Sequence, residues 1–126
     1  MAGDLVLIVE DNDKNLKLAR DLLTVAGHRV LAAGTGEEGV RLAKEHRPDL
    51  VLLDVQLPGM DGFAALAALR ADPATRGLVV AAFTASVMTA DVARIEAAGF
   101  DGYIAKPIAA REFLAQVAGL CARAHG

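Results

Sequence analysis

The sequence predicts an α/β domain built on a parallel sheet, and three observations carry that expectation. Short apolar runs alternate along the chain with stretches of helical spacing, the pattern of successive strand–helix units. Two of these runs, Leu5-Val6-Leu7-Ile8-Val9 and Leu50-Val51-Leu52-Leu53, are continuously apolar rather than alternating, as in strands covered on both faces. Composition agrees: 54% hydrophobic residues with many alanines, 4% aromatics and no Trp favour small-residue packing of helices on a sheet over an aromatic-rich β-sandwich. At 126 residues, the expectation is a single domain spanning 1–126.

Leu5–Val9 is the first strand. The helix after it carries Leu16, Ala19, Leu22, Leu23 and Ala26 on one face, and Gly27 is its expected stop. Arg29–Ala33 is a second, shorter strand. Thr35-Gly36-Glu37-Glu38 has the form of a capping box opening the second helix, which runs towards His46 before Pro48. Leu50–Asp54 is the third strand and Phe63–Ala71 the third helix. Leu78–Phe83 is the fourth strand, followed by a helix from about Ala90 that ends near Gly99. Gly102–Ala105 is the fifth strand. The last helix is expected to bury Phe113, Leu114, Val117, Leu120 and Cys121. Five such units fit a flavodoxin-like, doubly wound (βα)5 domain with a five-stranded parallel sheet in the order 2-1-3-4-5, in which sites form beyond the C-terminal ends of the strands.

Several classes are disfavoured by the bulk sequence. Net charge is −3 and the Lys and Arg residues are scattered, so no basic footprint for nucleic acid stands out. One cysteine, Cys121, cannot form an internal disulfide, which suits a reducing compartment. Leu78–Met88 is interrupted by Thr84 and Ser86 and is too short to span a bilayer, and the chain opens without a signal-peptide pattern. The expectation is a soluble, cytoplasmic domain with no membrane partner.

The third strand ends on Asp54, although an unpaired buried charge is costly. If that carboxylate marks a site, other strands must deliver chemistry to the same edge. The first strand is followed by Glu10-Asp11, the fourth by Thr84, and the fifth by Lys106-Pro107. Carboxylates so close raise one another's pKa unless a cation intervenes. Lys106 can offset one charge, and the remainder favours a hard divalent ion, for which Mg²⁺ is the choice suited to carboxylate and carbonyl oxygens. A metal beside a carboxylate, with an ammonium and a hydroxyl nearby, is a set suited to phosphoryl transfer onto that carboxylate. Singly each part has a plainer reading: a solvated loop or a helix cap for Glu10-Asp11, a core hydroxyl for Thr84, a surface lysine for Lys106, a helix or turn cap for Asp54. Those readings fail jointly, because all the groups reach one rim.

Val9-Glu10-Asp11-Asn12, Leu53-Asp54 through Gly62, Phe83-Thr84-Ala85 and Ala98-Gly99 through Lys106-Pro107 resemble the motifs of bacterial two-component response-regulator receiver domains, over roughly residues 4–122. The resemblance implies transfer of a phosphoryl group from a phosphohistidine, on a histidine kinase or histidine phosphotransfer protein, to Asp54. It implies Mg²⁺ held by Asp11, Asp54 and the backbone carbonyl of Gln56, with Glu10 assisting through water. It also implies that Thr84 and Lys106 contact the phosphoryl group and that Tyr103 is a rotating aromatic that reports it. The Lys106-Pro107 bond is expected to be cis, as in relatives. Gln56 and Ser86 stand at positions that vary in the family and bear on phosphoryl lifetime. On this reading the protein is a signalling module that catalyses its own phosphorylation and dephosphorylation, not a turnover enzyme. It signals to a downstream protein through the face of the fourth helix, fifth strand and fifth helix, as a monomer or a weak phosphorylation-dependent dimer, either on its own or as part of a larger kinase.

Rivals fare worse. A phosphatase with an aspartate nucleophile needs an acid two residues later, where Gln56 stands. A nucleotide carrier needs a glycine-rich phosphate cradle after the first strand, where Glu10-Asp11 stands instead. A pseudo-receiver that never accepts phosphate usually lacks an acid or the lysine, and neither is missing. His28, His46 and His125 show no ligand spacing, with His125 at an end expected to fray. Met60 and Met88 read as gap-filling rim residues, and Cys121 as a small core hydrophobe.

Overall fold

The computed structural model describes residues 3–85 and 88–125. Strands β1 (Leu5–Val9), β2 (Arg29–Ala33), β3 (Leu50–Asp54), β4 (Val79–Thr84) and β5 (Gly102–Ala105) alternate with helices α1 (Asp13–Val25), α2 (Gly36–His46), α3 (Gly62–Ala71), α4 (Thr89–Ala98) and α5 (Ala110–His125). The strands form one parallel sheet in the order β2-β1-β3-β4-β5, the flavodoxin-like arrangement expected from the sequence.

The period of two along each strand divides the core into two layers. Val6, Ile8, Leu50, Leu52, Ala81 and Phe83 point to the side covered by α1 and α5, where Ala19, Leu23, Phe113 and Val117 meet them. Leu7, Val9, Val51, Leu53, Val80 and Ala82 point to the other, against Ala43 of α2, Leu66 and Leu69 of α3, and Ile95 of α4. Both layers are shut off from water at β1, β3 and β4, so these strands are apolar at every position up to the polar residues Asp54 and Thr84 that end β3 and β4.

Side-chain caps set three helix starts: Asn12, Thr35 and Asp61 accept the backbone N–H of Asn15, Glu38 and Ala64. Strand β4 is shifted by one residue from expectation. Leu78 lies outside it, with its N–H bonded to the carbonyl of Thr75, and Thr84 lies inside, so the hydroxyl residue belongs to the strand end itself. Helix α3 begins at Gly62 and α4 at Thr89, each one residue before the expected start. On α5, Phe113, Val117 and Cys121 are fully buried while Leu114 and Leu120 are only partly covered. Ala26, expected on the buried face of α1, caps that helix in solvent. Met88 also departs from its expected role: it is 72% exposed and fills no gap, whereas Met60 does pack against the core.

Candidate functional site

The C-terminal edge of the sheet gathers the predicted residues. Asp54 is the last residue of β3 and is 3% exposed. Glu10 follows β1, is 1% exposed, and is fastened by its own N–H to the carbonyl of Ala33 in β2. Lys106 follows β5, and its N–H donates to the carbonyl of Thr84 at 2.7 Å, so the lysine and threonine backbones are joined. Its ammonium bridges the two buried acids, at 2.9 Å from Glu10 Oε1 and 3.1 Å from Asp54 Oδ2, and lies 5.2 Å from the centre of the Phe83 ring. The Lys106-Pro107 peptide is cis, as expected.

Each acid is also held by backbone. Asn12 N–H donates to Glu10 Oε2 at 3.1 Å, and Gln56 N–H donates to Asp54 Oδ1 at 2.9 Å. The second contact pins the start of the β3–α3 loop to the carboxylate it surrounds. Gly62 makes that loop's return possible: a Cβ there would lie 2.3 Å from the carbonyl oxygen of Asp54 and 2.6 Å from Cα of Val55, far inside any permitted contact. Helix α3 can therefore begin directly against the end of β3 only with glycine at its first position.

The electrostatics follow from burial and proximity. Burial pushes the Glu10 carboxyl above its ordinary range, and a hydrogen bond shared with Asp54 pushes the same way, opposed by Lys106 and the Asn12 N–H. Burial alone would lower the Lys106 ammonium, but its hydrogen bonds to Glu10 and Asp54 outweigh that and hold it above the ordinary lysine value. The lysine therefore stays charged, tied to both acids.

Asp11 projects into solvent beside them. Oxygen atoms of Glu10, Asp11 and Asp54 all lie within 4.8 Å of one another, a donor set of hard oxygens. Thr84 is buried at the β4 end and lines a cavity of about 340 Å³ with Gln56, Asp61, Phe63, Asp91 and Arg94, where the Arg94 guanidinium lies 4.0 Å from the Phe63 ring centre. Tyr103 stands apart from this rim. It is 38% exposed on β5 and lines a shallow groove with Thr89, Val92, Ala93 and Glu96 of α4. Ser86 lies outside the described residues.

One assembly escaped sequence reading. At the opposite, N-terminal edge of the sheet, Asp4, His28, Asp49, Cys121 and His125 come together, though separated by up to 121 positions. His125 is hydrogen-bonded to Asp4 within α5's last turn and is not a frayed end. The only sequence signal was that Asp4, His28 and Asp49 each stand directly before a strand.

A doubly wound parallel sheet with buried acids and a lysine at its C-terminal rim defines a class: an α/β domain whose site lies beyond the strand ends, with Glu10 and Asp11 after β1 where a nucleotide carrier has a glycine-rich cradle. The chain belongs to the response regulator receiver domain family, whose model matches residues 6–118. It is 43% identical over 109 residues to the polar-differentiation response regulator DivK of Brucella anthropi, covering 86% of this chain and 89% of that one. A putative response regulator from Chloroflexus aurantiacus superposes with a TM-score of 0.90 at 31% identity, covering 95% of this chain and 98% of that one. The receiver domain of the sensor histidine kinase PA1611 from Pseudomonas aeruginosa, solved with a magnesium ion coordinated in its active-site cleft, superposes at 0.88 with 32% identity, covering 96% and 99%. The chain is thus a receiver domain of two-component signalling, a module that works with histidine kinases and downstream effectors. Among the described residues no helix is long and apolar enough to cross a membrane.

Proposed function

We propose that the domain accepts a phosphoryl group on Asp54 from a phosphohistidine and uses it to switch a partner-binding surface. The observation that carries this reading is the Asp54 carboxylate, buried at a strand end, with Lys106 Nζ 3.1 Å from one oxygen and Gln56 N–H 2.9 Å from the other. An Asp54 oxygen attacks phosphorus, the P–N bond to the donor imidazole breaks, and the imidazole leaves with the bonding pair and is protonated. Lys106 neutralises charge gathering on the phosphoryl oxygens, and Thr84 supplies a hydroxyl beside them. Glu10, Asp11, Asp54 and the Gln56 backbone carbonyl would hold Mg²⁺, and their clustered oxygens suit that ion. When bound, Mg²⁺ offsets the carboxylate charges and those of the transferring phosphoryl group.

The surface of α4, β5 and α5 is the proposed output face. Tyr103 lies on it, and β5 pairs directly with the strand that carries Thr84, with Thr84 opposite Ala105. Recruitment of the Thr84 hydroxyl by a phosphoryl oxygen leaves room for the Tyr103 ring to turn inwards, biasing a two-state surface. The test is incubation with acetyl phosphate and Mg²⁺ followed by intact mass. One acid-labile phosphoryl group is expected, absent in Asp54→Asn because an amide is no nucleophile; full modification of that variant sinks the assignment.

A further inference from the structure

The rim chemistry accounts for Glu10, Asp11, Asp54, Thr84 and Lys106, but not for the cluster at the other pole of the sheet. Asp4 precedes β1, Asp49 precedes β3, and His125 closes α5. Their ligand atoms, a carboxylate oxygen from each acid and a ring nitrogen, all lie within 4.8 Å of one another. His125 Nε2 is hydrogen-bonded to Asp4 Oδ1 and sits 3.6 Å from Asp49 Oδ1.

The surrounding bonds orient these groups. Asp49 spends one oxygen, Oδ2, on the backbone N–H of Leu5 at 2.8 Å, which turns Oδ1 towards the imidazole. The Asp49 N–H returns a bond to the Leu5 carbonyl, so the two strand starts are locked together. Asp4 is fixed by its backbone: its N–H donates to His28 Nδ1 at 3.2 Å, and its carbonyl accepts the Arg29 N–H. With Nδ1 so used, His28 positions Asp4 rather than ligating. The Cys121 thiol, 2% exposed, closes the inner side against Asp4.

We propose that Asp4, Asp49 and His125 form a binding site for a divalent transition ion of the Zn²⁺ type, with solvent completing the coordination. Bond lengths of 2.0–2.2 Å in tetrahedral geometry place ligand atoms about 3.4 Å apart. The 3.6 Å between His125 Nε2 and Asp49 Oδ1 matches that spacing, whereas Asp4 Oδ1 is in direct hydrogen-bond contact with Nε2 and must move apart from it, the shared proton leaving, as the ion enters. An imidazole among the donors selects Zn²⁺ or Co²⁺ over Mg²⁺, whose preference is for oxygen alone. The donors come from two strand starts and the end of α5, so a bound ion fastens the last turn of that helix to the sheet, far from the phosphoryl-accepting rim.

The experiment is titration of the full chain, free of any histidine tag, with Zn²⁺ by calorimetry and with Co²⁺ by visible absorption, both in excess Mg²⁺. One high-affinity ion per chain is expected, with the intensified visible bands of tetrahedral Co²⁺. His125→Ala and Asp49→Asn should each weaken binding at least tenfold; the first changes only an exposed last turn, and the second keeps an oxygen for Leu5, so both variants should fold. Asp54→Asn should bind as tightly as the parent, which separates this site from the rim. The proposal is overturned if no Zn²⁺ or Co²⁺ binds, if His125→Ala and Asp49→Asn bind as the parent does, or if Asp54→Asn abolishes binding.

Discussion

Lys106 and Asp11 sit at the same rim but are held differently, and that difference separates their roles. Lys106 is enclosed between Glu10 and Asp54 and cancels charge that a cation would otherwise cancel, whereas Asp11 is exposed and offers its oxygens outwards. Replacing Asp11 by Ala removes an oxygen from the proposed Mg²⁺ set and should weaken Mg²⁺ binding by at least tenfold. Replacing Lys106 by Ala removes a competing cation, so Mg²⁺ should bind as well or more tightly, yet phosphorylation by acetyl phosphate should fall. Calorimetric Mg²⁺ titration of the two variants decides the matter; equal loss of affinity in both would contradict the division. Cys121 illustrates the opposite case, a group made inert by its surroundings. Burial pushes its thiol up to about 12, with Asp4 adding to the effect. It should react with thiol reagents only as the protein unfolds, and rapid modification of the native chain would show that α5 is not packed as described.

At the scale of elements, two glycines in helices have opposite meanings. Gly62 starts α3 where the backbone of β3 ends, and any Cβ would strike backbone atoms of Asp54 and Val55 that cannot yield. Gly62→Ala should therefore destabilise the fold by about 1–3 kcal/mol, as overpacking does, and displace the loop that donates Gln56 N–H to Asp54. Gly119 lies in α5 with nothing within 4 Å of its would-be Cβ. There the same substitution should stabilise by about 0.5–1 kcal/mol, because alanine loses less conformational entropy in a helix than glycine. Denaturant midpoints of the two variants should move in opposite directions. Similar shifts for both would mean that the contact at Gly62 is not what sets the residue.

At the scale of the molecule, the sheet carries its two poles on rigid strand ends, so a change at one rim reaches a surface only through what packs beside it. Thr84 on β4 neighbours β5, and β5 carries Tyr103 against α4. Asp101, just before β5, ties this edge to the rest: it accepts the Val80 N–H, the Arg70 guanidinium at 3.0 Å and Arg123 from α5. Beryllofluoride with Mg²⁺ mimics the phosphoryl group, and the amide shifts it causes should gather at the rim and over α4, β5 and α5. Shifts that spread instead over α1 and α2 would refute the proposed output face.

Much of this was legible in the one-dimensional chain, for a physical reason. Strands β1 and β3 are buried on both sides, so each shows as an unbroken apolar run, and the Asp54 that ends β3 stands out because no apolar environment tolerates it without partners. Caps such as Thr35 act on the N–H three residues on, which is a local rule and readable locally. The strand order and the gathering of Glu10, Asp54 and Lys106 at one edge agreed with expectation because a parallel doubly wound sheet sends every strand end to the same side, whereas the cis peptide at Pro107 was expected only from the family resemblance. What periodicity could not assign was anything set by contacts between distant segments. Whether Met88 is covered depends on what lies over α4, and whether Thr84 belongs to β4 depends on its pairing with Ala105. The meeting of Asp4, Asp49 and His125 is of the same kind: no spacing rule links two strand starts to a helix end so far along the chain, and only the packing of α5 across the sheet brings the imidazole to the carboxylates.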